Sequence, residues 1–333
     1  MNYHEASLLG GHGLPGLGPI ELEALLVPKV WGGNALQSLC KAPGTTKPIG
    51  EAWLLYDRPS RSNAVRESQD SLAQLRETWG PELIGSAKEG YGGRFPVLIK
   101  YLHAREVLSL QVHPSDAEAI GDGGKEECWL VLIAGRSAKA YLGLKEDVTI
   151  DRFAAGLSTG EINELLNVVK LKAGDVVHVP PGTVHALGGD ALVLEVQQNS
   201  DITHRLSDWG RGRPVHVNDA LQCVDIQSRP ELNQQVTDIG GGGLRLITTP
   251  SFCMFRYQLN RPVEIATQGG YCALVGLNGG GSVTAGGHER GISREALLVP
   301  ACHKSFFVHP IDCLDLVICA PGNITVTNCK ARR

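Results

Sequence analysis

The sequence predicts a mainly β protein, with antiparallel strands closed into jelly-roll barrels and a small helical insertion. Three observations carry this. From Phe95 onward, short strand-like segments follow one another at close spacing: FPVLIKYL, VLSLQVH, CWLVLIAG and KAYLGL. Strands resume in VVKLKAGDVVHVP and HALGGDALVLEVQQ. Beyond residue 230 a further run of β segments, from LRLITTP to NITVTN, reads as a second, smaller β domain. The 333 residues allow two or three domains.

Residues 1–20 contain LLGGHGLPGLGP and neither Lys nor Arg, which predicts a flexible N-terminal extension rather than a signal peptide. The catalytic domain is expected over residues 21–230. Its first part, ALLVPKVWGG and IGEAWLLYD, reads as short strands and loops. QDSLAQLRETWGPELIG has apolar spacing of three and four, so an amphipathic helix is expected, interrupted at Gly80 and Pro81. A helical insertion is expected over about 146–170, as two helices broken between Gly156 and Gly160, with Ser158-Thr159-Gly160-Glu161 starting the second. Asp201 to about Pro230 reads as a charged, loop-rich stretch, and residues 231–333 as the C-terminal β domain.

Hydrophobic content of 42% and charged content of 20% are ordinary for a globular chain. A formal charge of -4 gives no electrostatic reason to expect nucleic acid or an anionic membrane as partner. No apolar run approaches the roughly 20 residues that span a bilayer. The nine cysteines (Cys40, Cys128, Cys223, Cys253, Cys272, Cys302, Cys313, Cys319, Cys329) are scattered without a CxxC pair. They read as reduced thiols of a cytoplasmic protein.

The chemistry concentrates in Gln111-Val112-His113-Pro114, Glu127 and His185. Strand alternation puts Gln111 and His113 on one face. Two imidazoles, a carboxylate and an amide oxygen would suit a borderline divalent metal such as zinc. Gly174-Asp-Val-Val-His-Val-Pro180-Pro181-Gly182-Thr183-Val184-His185 fits the cupin pattern of Gly, five residues, Pro, one residue, Gly, two residues, His. Gly174 permits the entering turn, Pro-Pro-Gly reverses the chain, and His185 starts the next strand facing inward. AGDVVHVPPGTVHAL and REALLVPACHKSFFV share a weak pattern, which hints at a duplicated barrel, a bicupin. In the second copy Arg294, Cys302 and Ser305 surround Pro300 where a cupin has Gly and His, so no second metal site is expected there.

Cupins carry His-x-His in their first motif, and here Gln111 replaces the first His. FPVLIKYLHAREVLSLQVHPSDAEA followed by GKEECW, together with KVWGG, GEAW and LEVQQNSDITHRLSDWGR, resembles the type I mannose-6-phosphate isomerases in their short bacterial form. The resemblance covers most of residues 24–220. It implies one zinc ion per chain on Gln111, His113, Glu127 and His185, with Glu126 the alternative carboxylate. It also implies interconversion of mannose 6-phosphate and fructose 6-phosphate by proton transfer through an enediol(ate). Arg205, Lys125, Lys100 and Asp201 fall on the catalytic segments; Ser109, Lys100 and Arg205 would bind the sugar phosphate, with Asp201 orienting Arg205 or moving a proton. The base and the phosphate-holding residue stay open. A monomer or homodimer is expected.

Other cupin readings compete: an iron-dependent dioxygenase, or a non-catalytic sugar-binding bicupin. Metal analysis with oxygen uptake separates the first, and turnover the second. His178 is expected to face outward, Glu51 to hydrogen-bond neighbouring backbone, and Arg211 and Arg213 to be structural or solvated. Gly240 to Gly243 lacks a following Lys-Ser/Thr and reads as a loop.

Overall fold

A computed structural model describes residues 17–40 and 47–329. The strands that build the site are, in chain order, β1 (Leu25–Gly33), β2 (Ile49–Leu55), β3 (Val97–Ala104), β4 (Leu110–Val112), β5 (Glu127–Ala134), β6 (Lys139–Leu144), β7 (Leu166–Lys170), β8 (Val176–Val179), β9 (His185–Gly188), β10 (Ala191–Gln198) and β11 (His204–Ser207). They form a six-stranded sheet, β8-β5-β10-β3-β2-β1, and a five-stranded sheet, β7-β6-β9-β4-β11. Every pairing is antiparallel.

The alternation that predicted strands also explains the layers. Leu102, Trp129, Val131 and Val193 of the larger sheet meet Ala140, Leu142 and Leu187 of the smaller one in a common core. The opposite face of the smaller sheet, with Leu110, Val112 and Ala186, is covered by Phe153, Ile162, Leu165, Ala220 and Cys223 from helical segments. The opposite face of the larger sheet, including Ala52, Ile99, Tyr101, Cys128 and Leu194, packs on Met254, Ala273, Val275, Leu298 and Val317. Each large side chain so buried contributes about 1.5–3 kcal/mol.

Those last residues belong to a ten-stranded C-terminal sheet. Its strands Cys272–Ala285 and Ser305–Ala320 pair with register shifts between Gly276 and Gly280, and the sheet's other face surrounds a core of its own. Ala296–Val299, a turn, and a strand beginning at Ser305 repeat the strand–turn–strand order of β8 and β9.

Several expectations need correction. The first helix of the insertion, Ile150–Thr159, runs through Gly156 and ends at Gly160, whose φ is +84°. Its cap is Thr149, which accepts from Arg152 N. The second helix, Ile162–Leu165, has no side-chain cap, so Ser158 and Thr159 do not start it. The insertion stops there, because residues 166–170 form β7. The stretch read as loop after Asp201 holds β11 and the helix Val217–Cys223. Residues 1–16 of the expected extension lie outside the described residues. Ile20, its last residue, pairs with Leu298 of the C-terminal sheet. The interrupted helix over 69–88 is present as Leu72–Trp79 and Pro81–Ile84, opened by a Ser71–Gln74 capping box.

Candidate metal centre and active site

Gln111 on β4 stands opposite His185 on β9 and opposite Arg205 on β11. One row across the smaller sheet thus collects three of the residues singled out by sequence. Glu127 opens β5 in the facing sheet, paired with Val179 and Gln197. Its neighbours alternate as expected: Cys128 packs in the layer beneath, and Trp129 points into the common core.

The site is assembled across the interior. His113 Nε2 lies 3.3 Å from Glu127 Oε1, and His185 Nε2 lies 3.5 Å from Glu127 Oε2. Gln111 Nε2 lies 3.1 Å from His185 Nε2. His113, Glu127 and His185 are buried, with ligand atoms all within 4.8 Å of one another. Donors about 2.1 Å from a tetrahedral ion are separated by about 3.4 Å along each edge, so the imidazole–carboxylate spacings fit one.

The ring tautomers fit as well. His113 Nδ1 donates to Ile202 O at 2.8 Å, and His185 Nδ1 donates to Thr183 O at 2.9 Å. Each Nδ1 therefore carries the proton, and each Nε2 lone pair faces Glu127. Burial, then the charge on Lys125, brings His113 down to about 3; burial also lowers His185. Both rings are neutral at pH 7, as ligation requires. For Glu127 burial opposes ionisation, but the Lys125 ammonium beside it outweighs this and holds the carboxyl well below its usual range. Glu127 Oε2 is buried without a hydrogen-bond partner, an arrangement a cation would complete. The Gln111 amide needs only a flip of its two terminal atoms to present oxygen instead of nitrogen.

The turn before His185 is docked on the other ligand. Gly182, with φ +81°, donates its N–H to His113 O at 2.8 Å. A Cβ there would lie 3.0 Å from Cys223 O, so the positive φ favours glycine and the space for a side chain is tight.

Lys125 Nζ lies 2.7 Å from Glu127 Oε1 and 3.3 Å from His113 Nε2. Lys100 lies on β3 and pairs with Glu195 Oε1 at 2.9 Å. Burial works against the Lys100 ammonium, yet Glu195, Glu51 and Glu127 outweigh it and raise its pKa. Glu195 is pushed up to about 7 by burial and by Glu127, against the pull of Lys100 and Lys125. Sequence reasoning passed over Glu195, whose place opposite Lys100 is set by the pairing of β10 with β3. Ser109 Oγ lies 3.5 Å from Gln111 Oε1. Arg205 donates Nη1–H to Pro214 O at 2.6 Å, while its Nε is buried without a partner.

Other residues fall outside this cluster. His178 Nε2 meets Glu126 Oε1 at 2.9 Å, which takes Glu126 away from the imidazole pair. The Asp201 carboxylate pairs with Arg58 Nε at 3.0 Å, and Arg205 is held instead by the Pro214 carbonyl. Arg211 and Arg213 both bind Asp208. Glu51 departs from expectation: its partners are the side chains of Lys29, at 3.0 Å, and Trp53 Nε1, at 2.6 Å. The glycines of KVWGG and GEAW permit this approach, since a Cβ on Gly32 would fall 2.4 Å from Gly50 N. A cleft of about 710 Å³ lined by Lys88, Tyr91, Asp122, Gln198 and Tyr271, among others, contains none of the cluster residues.

Residues 20–127 match the family described as phosphomannose isomerase type I, catalytic domain. A mannose-6-phosphate isomerase of Bacillus subtilis (strain 168) is 31% identical over 287 residues, 80% of this chain and 88% of that protein. The chain belongs to the type I phosphomannose isomerases. A mannose-6-phosphate isomerase of Streptococcus mutans is 29% identical over 301 residues, covering 86% of this chain and 94% of its own length. The crystal structure of the mannose 6-phosphate isomerase from Bacillus subtilis superimposes with a TM-score of 0.81 at 26% identity, over 91% of this chain and 99% of that one. The mainly β, cupin-like fold is thus common to the chain and to a solved phosphomannose isomerase.

Proposed function

We propose that the chain interconverts mannose 6-phosphate and fructose 6-phosphate, using one zinc ion held by Gln111, His113, Glu127 and His185. The observation that carries this reading is the pair of imidazoles fixed by backbone carbonyls so that both lone pairs face the Glu127 carboxylate, whose Oε2 is buried without a hydrogen-bond partner. A bound zinc ion supplies Lewis acidity toward the O1 and O2 oxygens of the sugar.

The remaining tasks fall to side chains. The reaction moves a proton between C2 of the aldose and C1 of the ketose through an enediol(ate), while a second proton passes between O1 and O2. Glu195, raised to about 7, has the pKa of a carboxylate that accepts and returns a proton near neutrality. Lys100, kept protonated by three carboxylates, orients Glu195 and can donate an N–H hydrogen bond to a sugar oxygen. Lys125, at the Glu127 carboxylate, opposes negative charge developing on the sugar oxygens. Arg205, one strand from Gln111 with a free Nε–H, suits a phosphate or enediolate oxygen, and Ser109 a sugar hydroxyl. Asp201 is better read as a structural partner of Arg58 than as the base.

The test is conversion of mannose 6-phosphate to fructose 6-phosphate followed by NMR. Turnover should be lost on chelation, return with Zn²⁺, and be absent in His113→Ala. A zinc-loaded, folded chain without turnover would refute the activity. Oxygen uptake with an iron-loaded chain would support a dioxygenase instead.

A further inference from the structure

His113 owes its tautomer to a carbonyl in a segment without regular structure. Residues 199–203 join β10 to β11, and Ile202 O accepts a hydrogen bond from His113 Nδ1–H. Local sequence does not dictate where that carbonyl points. A buried guanidinium far upstream holds the segment. Arg58, with a side chain 6% exposed, donates Nη1–H to Asn199 O at 2.7 Å and Nε–H to Asp201 Oδ2 at 3.0 Å. Its Nη2 binds Asp122, whose carboxylate also accepts from Asp201 N at 3.1 Å and from Arg94 Nη2 at 2.8 Å. From the other side Gln197 Nε2 donates to Ser200 O at 2.9 Å. Asp122 lies three residues before Lys125, so the same fork ties the approach to Glu127 to the exit from β10.

We propose that Arg58 is a positioning residue for the metal centre: its fork on Asn199, Asp201 and Asp122 fixes the Ile202 carbonyl and so keeps the His113 Nε2 lone pair facing Glu127. The inference rests on the metal reading above. It requires arginine specifically, because a lysine ammonium keeps the charge but cannot span three acceptors in one plane. Lost orienting partners around a metal site typically cost 10–100-fold in affinity.

The experiment uses the full chain. Zn²⁺ affinity is measured by competition with a chromophoric chelator, and the His113 tautomer is read in metal-free protein by long-range ¹H–¹⁵N NMR. Arg58→Lys should bind Zn²⁺ at least about tenfold more weakly and show His113 in mixed tautomers. Asp201→Ala removes a side chain that is 56% exposed, so its folding is not at stake, and should shift both readouts in the same direction by less. A folded Arg58→Lys chain with affinity within about twofold of the parent and a single Nδ1–H tautomer would overturn the proposal. If Arg58→Lys does not fold, parental affinity and tautomer in Asp201→Ala overturn it. Failure of the parent to bind Zn²⁺ would strike the metal reading, while the tautomer readout would still decide the role of Arg58.

Discussion

Glu195 shows how much one side chain depends on its surroundings. Burial and Glu127 push its carboxyl up to about 7 in the metal-free chain, and Lys100 lies 2.9 Å away. A divalent cation nearby favours the ionised form and draws that value down. The acid limb of kcat/KM should therefore lie below 7 and disappear in Glu195→Gln, with kcat reduced by roughly 100-fold or more. A Glu195→Gln enzyme with the parental profile would exclude it as proton carrier. Asp208 gives a contrasting pH prediction. Burial opposes its charge, but Arg213 and Arg211 hold it down to about 2. A depressed carboxyl stabilises the fold above its unfolded pKa of about 4, and that contribution is lost as pH falls toward 2. Asp208→Asn should flatten the acid side of the stability curve between those values, measured by urea denaturation at each pH.

At the scale of elements, the turn between β8 and β9 couples fold to site, because Gly182 adopts φ +81° and binds His113 O. Gly182→Ala should cost about 1–2 kcal/mol from backbone conformation alone, with weaker Zn²⁺ binding in addition. Urea titration and chelator competition on the same variant measure the two effects. This turn was legible in the sequence, as were the face shared by Gln111 and His113 and the division of Glu126 from Glu127, because each rests on spacing within a few residues. Glu195 was not, since an acidic residue in LEVQQ has no special spacing, and only the pairing of β10 with β3 and β5 shows which face is inward. Arg58 was less legible still: its partners are remote in sequence, and no local pattern encodes them. The helix Val217–Cys223 went unread because tertiary cover by Ala220 and Cys223, rather than a long apolar period, sustains it.

Across the whole molecule, the six-stranded sheet is buried on both faces: one looks into the site, the other onto the C-terminal sheet. The short pairing of Ile20 with Leu298 also stitches the start of the described chain to that sheet. Cooperative unfolding follows, because separation would expose the shared core layer on both sides. Phe252, fully buried in this shared layer, should cost about 3–5 kcal/mol when replaced by Ala. The transition should move as one, by both tryptophan fluorescence and circular dichroism. Two separated transitions would show instead that the C-terminal sheet folds independently.

The carbonyls that lock His113 and His185 have an electrostatic consequence. A carboxylate in either place would bring negative charge against the ring; Ile202 O and Thr183 O bring none. Under the proposed ligation Lys125 balances Glu127, and Lys100 balances Glu195 once that carboxyl ionises. The two charges of a bound zinc ion, with that of Arg205, would then leave the site net positive, favouring the nearly two negative charges of a phosphomonoester at neutral pH. Neutral substrates of the same shape would forgo that attraction, so the dephosphorylated sugar should bind poorly even where its hydroxyls fit.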